Sequence, residues 1–189
     1  MSYVDVVGIQ SGTKELLKSL GEDPSREGLK GTPERVAHFW KEFIDYDPGK
    51  VDVTFEAVEV DQMILLNITD PIYSLCEHHL LPIEMYVSIG YISEGATVLG
   101  LSKLARIAQK YAHRLQIQER YTAQVAAEVA DLAGTESVAV LVKGKHFCMT
   151  MRGIKLSGAM VTSSLHGTFK TSDRCRAEFL QLAERRSIW

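Results

Sequence analysis

The hydrophobic positions of this chain change their period several times, and each change marks an element. Leu16, Leu17 and Leu20, with Lys14, recur at helical spacing around Gly12 to Leu20, which predicts a first helix closed by Gly21 before the Asp23-Pro24 break. Thr32-Pro33 opens a second helix: threonine suits the N-cap, proline suits the first turn, and Val36, Ala37, Trp40, Phe43 and Ile44 form an apolar stripe. Arg35 and His38 share a different face near that helix start, a place that favours an anion. Val51 to Val60 and Met63 to Thr69 are apolar and β-branched enough for strands, with a loop at Asp70-Pro71. Glu84 to Ile92 alternates, with Met85, Val87, Ile89 and Tyr91 on one side and a turn at Ser93-Glu94-Gly95. Helical spacing returns in Leu104, Ile107, Ala108 and Tyr111, with Ser102 as the expected cap. It returns again after Gln118-Glu119 in Val125, Ala126, Val129 and Ala130, ending at Gly134. The apolar run Val138 to Val142 reads as a strand. Continued through Lys145 to Gly153, it would place His146, Cys148, Thr150 and Arg152 on one face and Phe147, Met149 and Met151 on the other. A strand over Ala159 to Leu165 and a helix over Ala177 to Arg186 close the chain. The fold class expected is α+β, with an N-terminal helical segment over residues 1–50 and a main domain over 51–189.

Composition narrows the class. At 189 residues and 46% hydrophobic, the chain suffices for one core with a small helical extension. The early apolar residues Val4, Val6, Val7 and Ile9 are interrupted by Asp5 and Gly8, and no apolar run reaches membrane-spanning length, so a soluble cytoplasmic protein without a membrane partner is expected. Cys76, Cys148 and Cys175 cannot all pair within one chain and are too sparse for a disulfide scaffold, which favours a metal or catalytic role. The net charge of −3 conceals two acid-free stretches. Ser137 to Ser172 holds Lys143, Lys145, Arg152, Lys155 and Lys170; Gly95 to Gln118 holds Lys103, Arg106, Lys110 and Arg114. Such stretches fit either a focused site for an anionic ligand or a solvated basic surface; nucleic acid is disfavoured, since no general basic excess exists.

Three residues then point to a metal. Cys76 and His79 stand three apart, close enough to converge on one ion from a single turn, and Cys148 adds a second thiolate. This donor set prefers zinc. Three protein ligands match a catalytic centre that leaves a position for water, whereas Cys175, set among Ser172, Asp173, Arg174 and Arg176, would close a structural one. His146 and His78 flank two separate ligands and can move protons near neutral pH, or serve structurally. Ser102, Lys103 and Arg106 gather hydroxyl, backbone N–H groups and cations at a helix start, an arrangement for phosphate that could equally be plain capping.

Ser74-Leu75-Cys76-Glu77-His78-His79, Gly100-Leu101-Ser102-Lys103-Leu104-Ala105-Arg106, Gln116-Ile117-Gln118-Glu119-Arg120 and His146-Phe147-Cys148-Met149-Thr150-Met151-Arg152-Gly153 together resemble GTP cyclohydrolase I. The likeness runs in order from Gly-Glu-Asp-Pro at Gly21 and Thr-Pro-x-Arg at Thr32 to Ser-Leu-x-Gly-x-Phe at Ser164. It implies the tunnelling fold, an antiparallel sheet with two long helices on one face, assembled as a toroidal homodecamer with active sites at subunit junctions. It also implies a zinc ion held by Cys76, His79 and Cys148 and water attack at C8 of GTP; formate is released, and the ribose rearranges on the way to 7,8-dihydroneopterin triphosphate. By the same likeness His146 protonates the purine nitrogen next to C8 and His78 assists proton transfers. Glu119 accepts from the guanine N–H groups with Gln118 beside it, and Ser102, Lys103, Arg106, Arg152 and Arg35 hold the triphosphate. Two positions depart: His38 stands where the family often has lysine, and Leu115 where proline is common. Other tunnelling-fold enzymes, such as the queuosine-pathway nitrile reductase, lack the Cys-Glu-His-His plus His-x-Cys pairing. A non-catalytic zinc protein would need none of His78, His146, Gln118, Glu119 or Arg152.

Overall fold

The computed structural model describes residues 4–56, 62–93 and 97–184. The chain forms two compact units, residues 1–47 and 48–189.

In the first unit, α1 (Val6–Ser19) begins well before the apolar repeat that predicts it, because the Asp5 carboxylate accepts from the Gly8 N–H at 2.9 Å and caps the first turn. Gly21, at φ 79°, carries the chain out of the helix. Helix α2 (Thr32–Ile44) has Pro33 in its first turn as expected, but Gly31 and not Thr32 occupies the cap. Ala37 and Phe43 are its buried apolar positions, and Trp40 meets Phe39 and Phe43 edge-on.

The second unit is built on a sheet. Its elements are β1 (Thr54–Glu56), β2 (Met63–Asn67), β3 (Ile72–Cys76), β4 (Pro82–Ile92), β5 (Thr97–Leu99), α3 (Leu101–Ala112), β6 (Leu115–Gln116), α4 (Gln118–Ala133), β7 (Val138–His146), the single turn α5 (Phe147–Thr150), β8 (Met160–Leu165), α6 (Thr168–Thr171) and α7 (Asp173–Glu184). Strand β1 starts at Thr54, later than the expected Val51. Residues 57–61 lie outside the described part, as do Glu94 and Gly95 of the expected turn and Arg186 at the end of the expected closing helix. The main sheet runs β6-β3-β4-β7-β8, with β2 pairing the far half of β4; among the described residues the β3–β6 pair alone is parallel. Strands β1 and β5 form a separate antiparallel pair.

Strand β4 sends Ile83, Met85, Val87, Ile89 and Tyr91 to one face, all fully buried, as their alternation predicts. That face meets Leu104, Ile107 and Ala108 of α3 and Tyr121, Val125, Ala126 and Val129 of α4. The two helices are tied by the buried Tyr121 hydroxyl, which donates to the Ala108 carbonyl at 3.0 Å, and by Lys110 and Glu128 at 2.7 Å. The opposite face carries a second core of Ala139, Leu141, Phe169, Phe179 and Ala183, in which α6 and α7 cover the sheet. Gly90 is needed there: a Cβ on it would lie 2.9 Å from the Phe179 ring.

One sequence expectation fails in a way that shapes the site. The chain is not extended through Lys145–Gly153; β7 stops at His146 and α5 follows, with the Met151 N–H on the Phe147 carbonyl at 2.9 Å. The ladder explains why. His146 pairs with Ile83, one residue from the start of β4 at Pro82, which has no N–H to offer, so a longer β7 would have no partner on that side. Cys148 therefore leaves the His146 face and hangs from a helical turn beyond the strand end.

Candidate metal centre and cavity

Three strand ends make the site. Cys76 ends β3, and the residues after it fold into a turn: Leu80 N–H bonds the Cys76 carbonyl at 2.8 Å, and Cys76 N–H bonds the Leu81 carbonyl at 2.9 Å. Leu80 sits at φ 55°, a left-handed conformation that costs a residue with a Cβ roughly 1–2 kcal/mol. The parallel pairing of Cys76 with Gln116, extended by Glu77 N–H on the Gln116 carbonyl at 3.0 Å, brings the start of α4 alongside. The β4–β7 register brings His146 and α5 to the other side.

The result is a cavity of about 260 Å³ lined by Cys76, His78, His79, Gln116, Ile117, Gln118, Glu119, His146, Cys148 and Met160. The ligand atoms of Cys76, His79 and Cys148 all lie within 4.8 Å of one another. Two thiols and an imidazole, one of them buried and all converging, suit a borderline-soft divalent ion such as zinc. Cys175 is not in this group; on α7 it packs against the second core, where burial pushes its thiol pKa up. Burial likewise raises the Cys148 pKa, and the neighbouring Cys76 sulfur adds to the effect.

His78 turns toward the same centre: its Nδ1 and that of His79 each lie 3.8 Å from the Cys76 sulfur. Burial lowers the His146 pKa, while the Glu119 carboxylate acts in the opposite sense. Glu119 is exposed in the first turn of α4, and Gln118 beside it is fully buried. Arg152 stands beside the centre, its Nη1 3.2 Å from His79 Nε2.

The cationic group at α3 is arranged differently from the sequence reading. Gly100 is the N-cap, its N–H held by the Val53 carbonyl at 3.0 Å, so Ser102 lies inside the first turn, exposed, with no capping bond. Lys103 donates to the Lys50 carbonyl at 2.9 Å and Arg106 to the Pro48 carbonyl. Arg35 and His38 lie in the other unit, exposed on the early turns of α2.

Residues that the sequence reading did not single out complete the support. Arg120 joins the Glu77 carboxylate, the Leu115 carbonyl and the Gln116 side chain, fastening the turn after β3 to β6; its guanidinium holds the Glu77 pKa below the usual carboxylate value. Thr122, Gly144 and Thr162 surround Gln118. Only Gly144, a glycine inside a strand, carries a signal that sequence can show, namely close approach of a neighbour.

A model of the GTP cyclohydrolase I family matches residues 9–184. The chain is 44% identical over 188 residues to GTP cyclohydrolase 1 of Dehalococcoides mccartyi, covering 96% of this chain and 98% of that one. Its identity to GTP cyclohydrolase 1 of Thermoanaerobacter pseudethanolicus is 42% over 183 residues, or 95% of this chain and 97% of that one. To the same-named protein of Rhodopirellula baltica it is 43% over 186 residues, 96% of this chain and 80% of that one.

Proposed function

The chain belongs to the GTP cyclohydrolase I family, and from that premise we propose that it hydrolyses the guanine ring of GTP at C8. Formate is released, and after rearrangement of the ribose and ring closure the product is 7,8-dihydroneopterin triphosphate. The observation that carries this reading is the convergence of Cys76, His79 and Cys148 in a cavity that also exposes His78, His146 and Glu119. Zinc, held by those three residues, would supply a water activated for attack at C8. The rest falls to the side chains. His146 delivers a proton to the nitrogen adjoining C8, so that the C8–N bond breaks toward a neutral amine. His78 serves the proton transfers of formate release and of the ribose rearrangement. Glu119, exposed at the start of α4, accepts from the guanine N1–H and amino group, a pairing that an adenine ring would not offer. Lys103, Arg106 and Arg152, with the Ser102 hydroxyl, serve the triphosphate; Arg35 and His38 offer a further cation and imidazole to the same polyanion. A cytoplasmic homodecamer completes the reading.

Formate release from GTP, metal content and assembly size test it together. The zinc-loaded chain should release formate and elute near ten subunits. Cys148→Ala should lose metal and turnover, and His146→Ala should keep about one zinc per chain while losing turnover. Undiminished formate release by His146→Ala removes the proposed acid, and a fourth protein donor at the metal, seen by X-ray absorption, removes the hydrolytic role.

A further inference from the structure

Gln118 is fully buried, yet its amide is bonded on every side. Its nitrogen, with two hydrogens, lies within reach of three acceptors, the Val142 carbonyl at 3.1 Å, the Met160 carbonyl at 3.0 Å and the Thr162 hydroxyl at 3.1 Å, so one hydrogen is shared between two of them. The amide oxygen lies 2.9 Å from His146 Nε2.

Donor and acceptor roles in this cluster follow from chemistry. The Val142 and Met160 carbonyls can only accept, so the NH₂ end of the amide must face them; a flipped amide would set oxygen against two carbonyl oxygens. The threonines agree. The Thr122 hydroxyl spends its hydrogen on the Gln118 backbone carbonyl at 2.7 Å. The Thr162 hydroxyl, 2.6 Å from Thr122, must then donate to it, which leaves Thr162 as acceptor for the Gln118 amide. The hydrogen bonds form a one-way ring that starts and ends on Gln118. With its nitrogen committed, Gln118 presents only an oxygen to His146, and an oxygen there requires a hydrogen on Nε2.

We propose that Gln118 is a positioning residue for His146: its amide oxygen, fixed by the buried contacts of the amide nitrogen, accepts from Nε2–H and holds the imidazole in one tautomer and one orientation. This replaces the place beside Glu119 at the guanine that the family resemblance gives Gln118. Its kinetic consequence rests on the hydrolase reading of the cavity, whereas the tautomer does not.

Two measurements on the zinc-loaded assembly separate these. Nitrogen-15 spectra of protein labelled in the histidine rings, recorded at mildly alkaline pH and assigned by the signal lost in His146→Asn, should show His146 with Nε2 protonated and Nδ1 bare. The opposite tautomer overturns the proposal whatever the enzyme catalyses. Gln118→Met keeps the length and removes the acceptor. It should retain zinc and leave the KM for GTP within about 2-fold, while kcat falls by roughly 10²-fold, within what a well-placed general acid contributes. A KM that rises with kcat unchanged would return Gln118 to the guanine and overturn the positioning role. Should the Met variant fail to assemble, the parent spectrum alone still decides. The expected spectrum without any formate release from GTP would leave the positioning intact and overturn the hydrolase reading.

Discussion

Replacing Gly144 with alanine adds a single methyl group where the Gln118 side chain crosses the sheet. Gly144 has no left-handed φ, so alanine meets no backbone penalty and on chain entropy alone would stabilise by about 0.4–1 kcal/mol. The obstacle is a side chain. A Cβ there would overlap the Gln118 amide oxygen and lie 2.9 Å from its Cδ, so the amide must turn away. Turning it costs the two N–H bonds shared among Val142, Met160 and Thr162 and the one accepted from His146, at about 1 kcal/mol each, in a place that water does not reach. Against the entropic gain, the net loss should be about 2–3 kcal/mol, or roughly 5–10 °C in Tm for a chain of this length. Calorimetric unfolding at one fixed protein concentration measures it. The decisive comparison is the same substitution made in a Gln118→Ala background. With the amide gone, the methyl has room and should cost less than about 0.5 kcal/mol, giving a coupling of about 2 kcal/mol between the two positions. Equal cost of Gly144→Ala in both backgrounds would refute the reasoning, because the damage would then not pass through Gln118.

Two further outcomes follow. Gly90→Ala should cost about 1–3 kcal/mol by forcing the Phe179 ring off the sheet, and Phe179→Leu should restore most of that loss in a thermal melt; an additive pair of effects would count against the contact. The Tyr111 phenol pKa is pushed up to about 12, first by burial and then by the Glu128 carboxylate. A folded pKa above the unfolded one stabilises the fold fully below about pH 10, and that contribution is lost as the pH rises toward 12. Glu128→Gln should lower the Tyr111 pKa without returning it to 10, as read by ultraviolet titration against a Tyr111→Phe control.

What could be read in advance depended on whether a residue's neighbour is near in sequence. The stripes of α3 and α4 and the alternation of β4 are local, and Leu104, Ile107, Val125, Met85 and Val87 are buried where periodicity places them. The donor set was legible too, because Cys76 and His79 share a turn and soft ligands are scarce in this chain. The end of β7 was not. Whether residues 147–152 continue a strand is decided by Pro82 on another strand, and the alternation of Phe147, Met149 and Met151 fits either outcome. Ser102 fails as a cap for a similar reason: the bond between Gly100 and Val53 starts the helix two residues earlier. The surroundings of Gln118 were equally hidden, since Val142, Met160 and Thr162 arrive through the β7–β8 pairing.

That pairing scheme also bears on how the chain matures. Cys76 and Cys148 are separated by 72 positions (148 − 76), and the β3–β4–β7 ladder brings them together. A slip of β7 by one residue would exchange the inner and outer faces, swapping His146 for Lys145 and carrying Cys148 out of reach of its partners. An ion held by all three residues would thus proofread the sheet: it would accumulate on correctly threaded chains and leave misaligned ones without that source of stability.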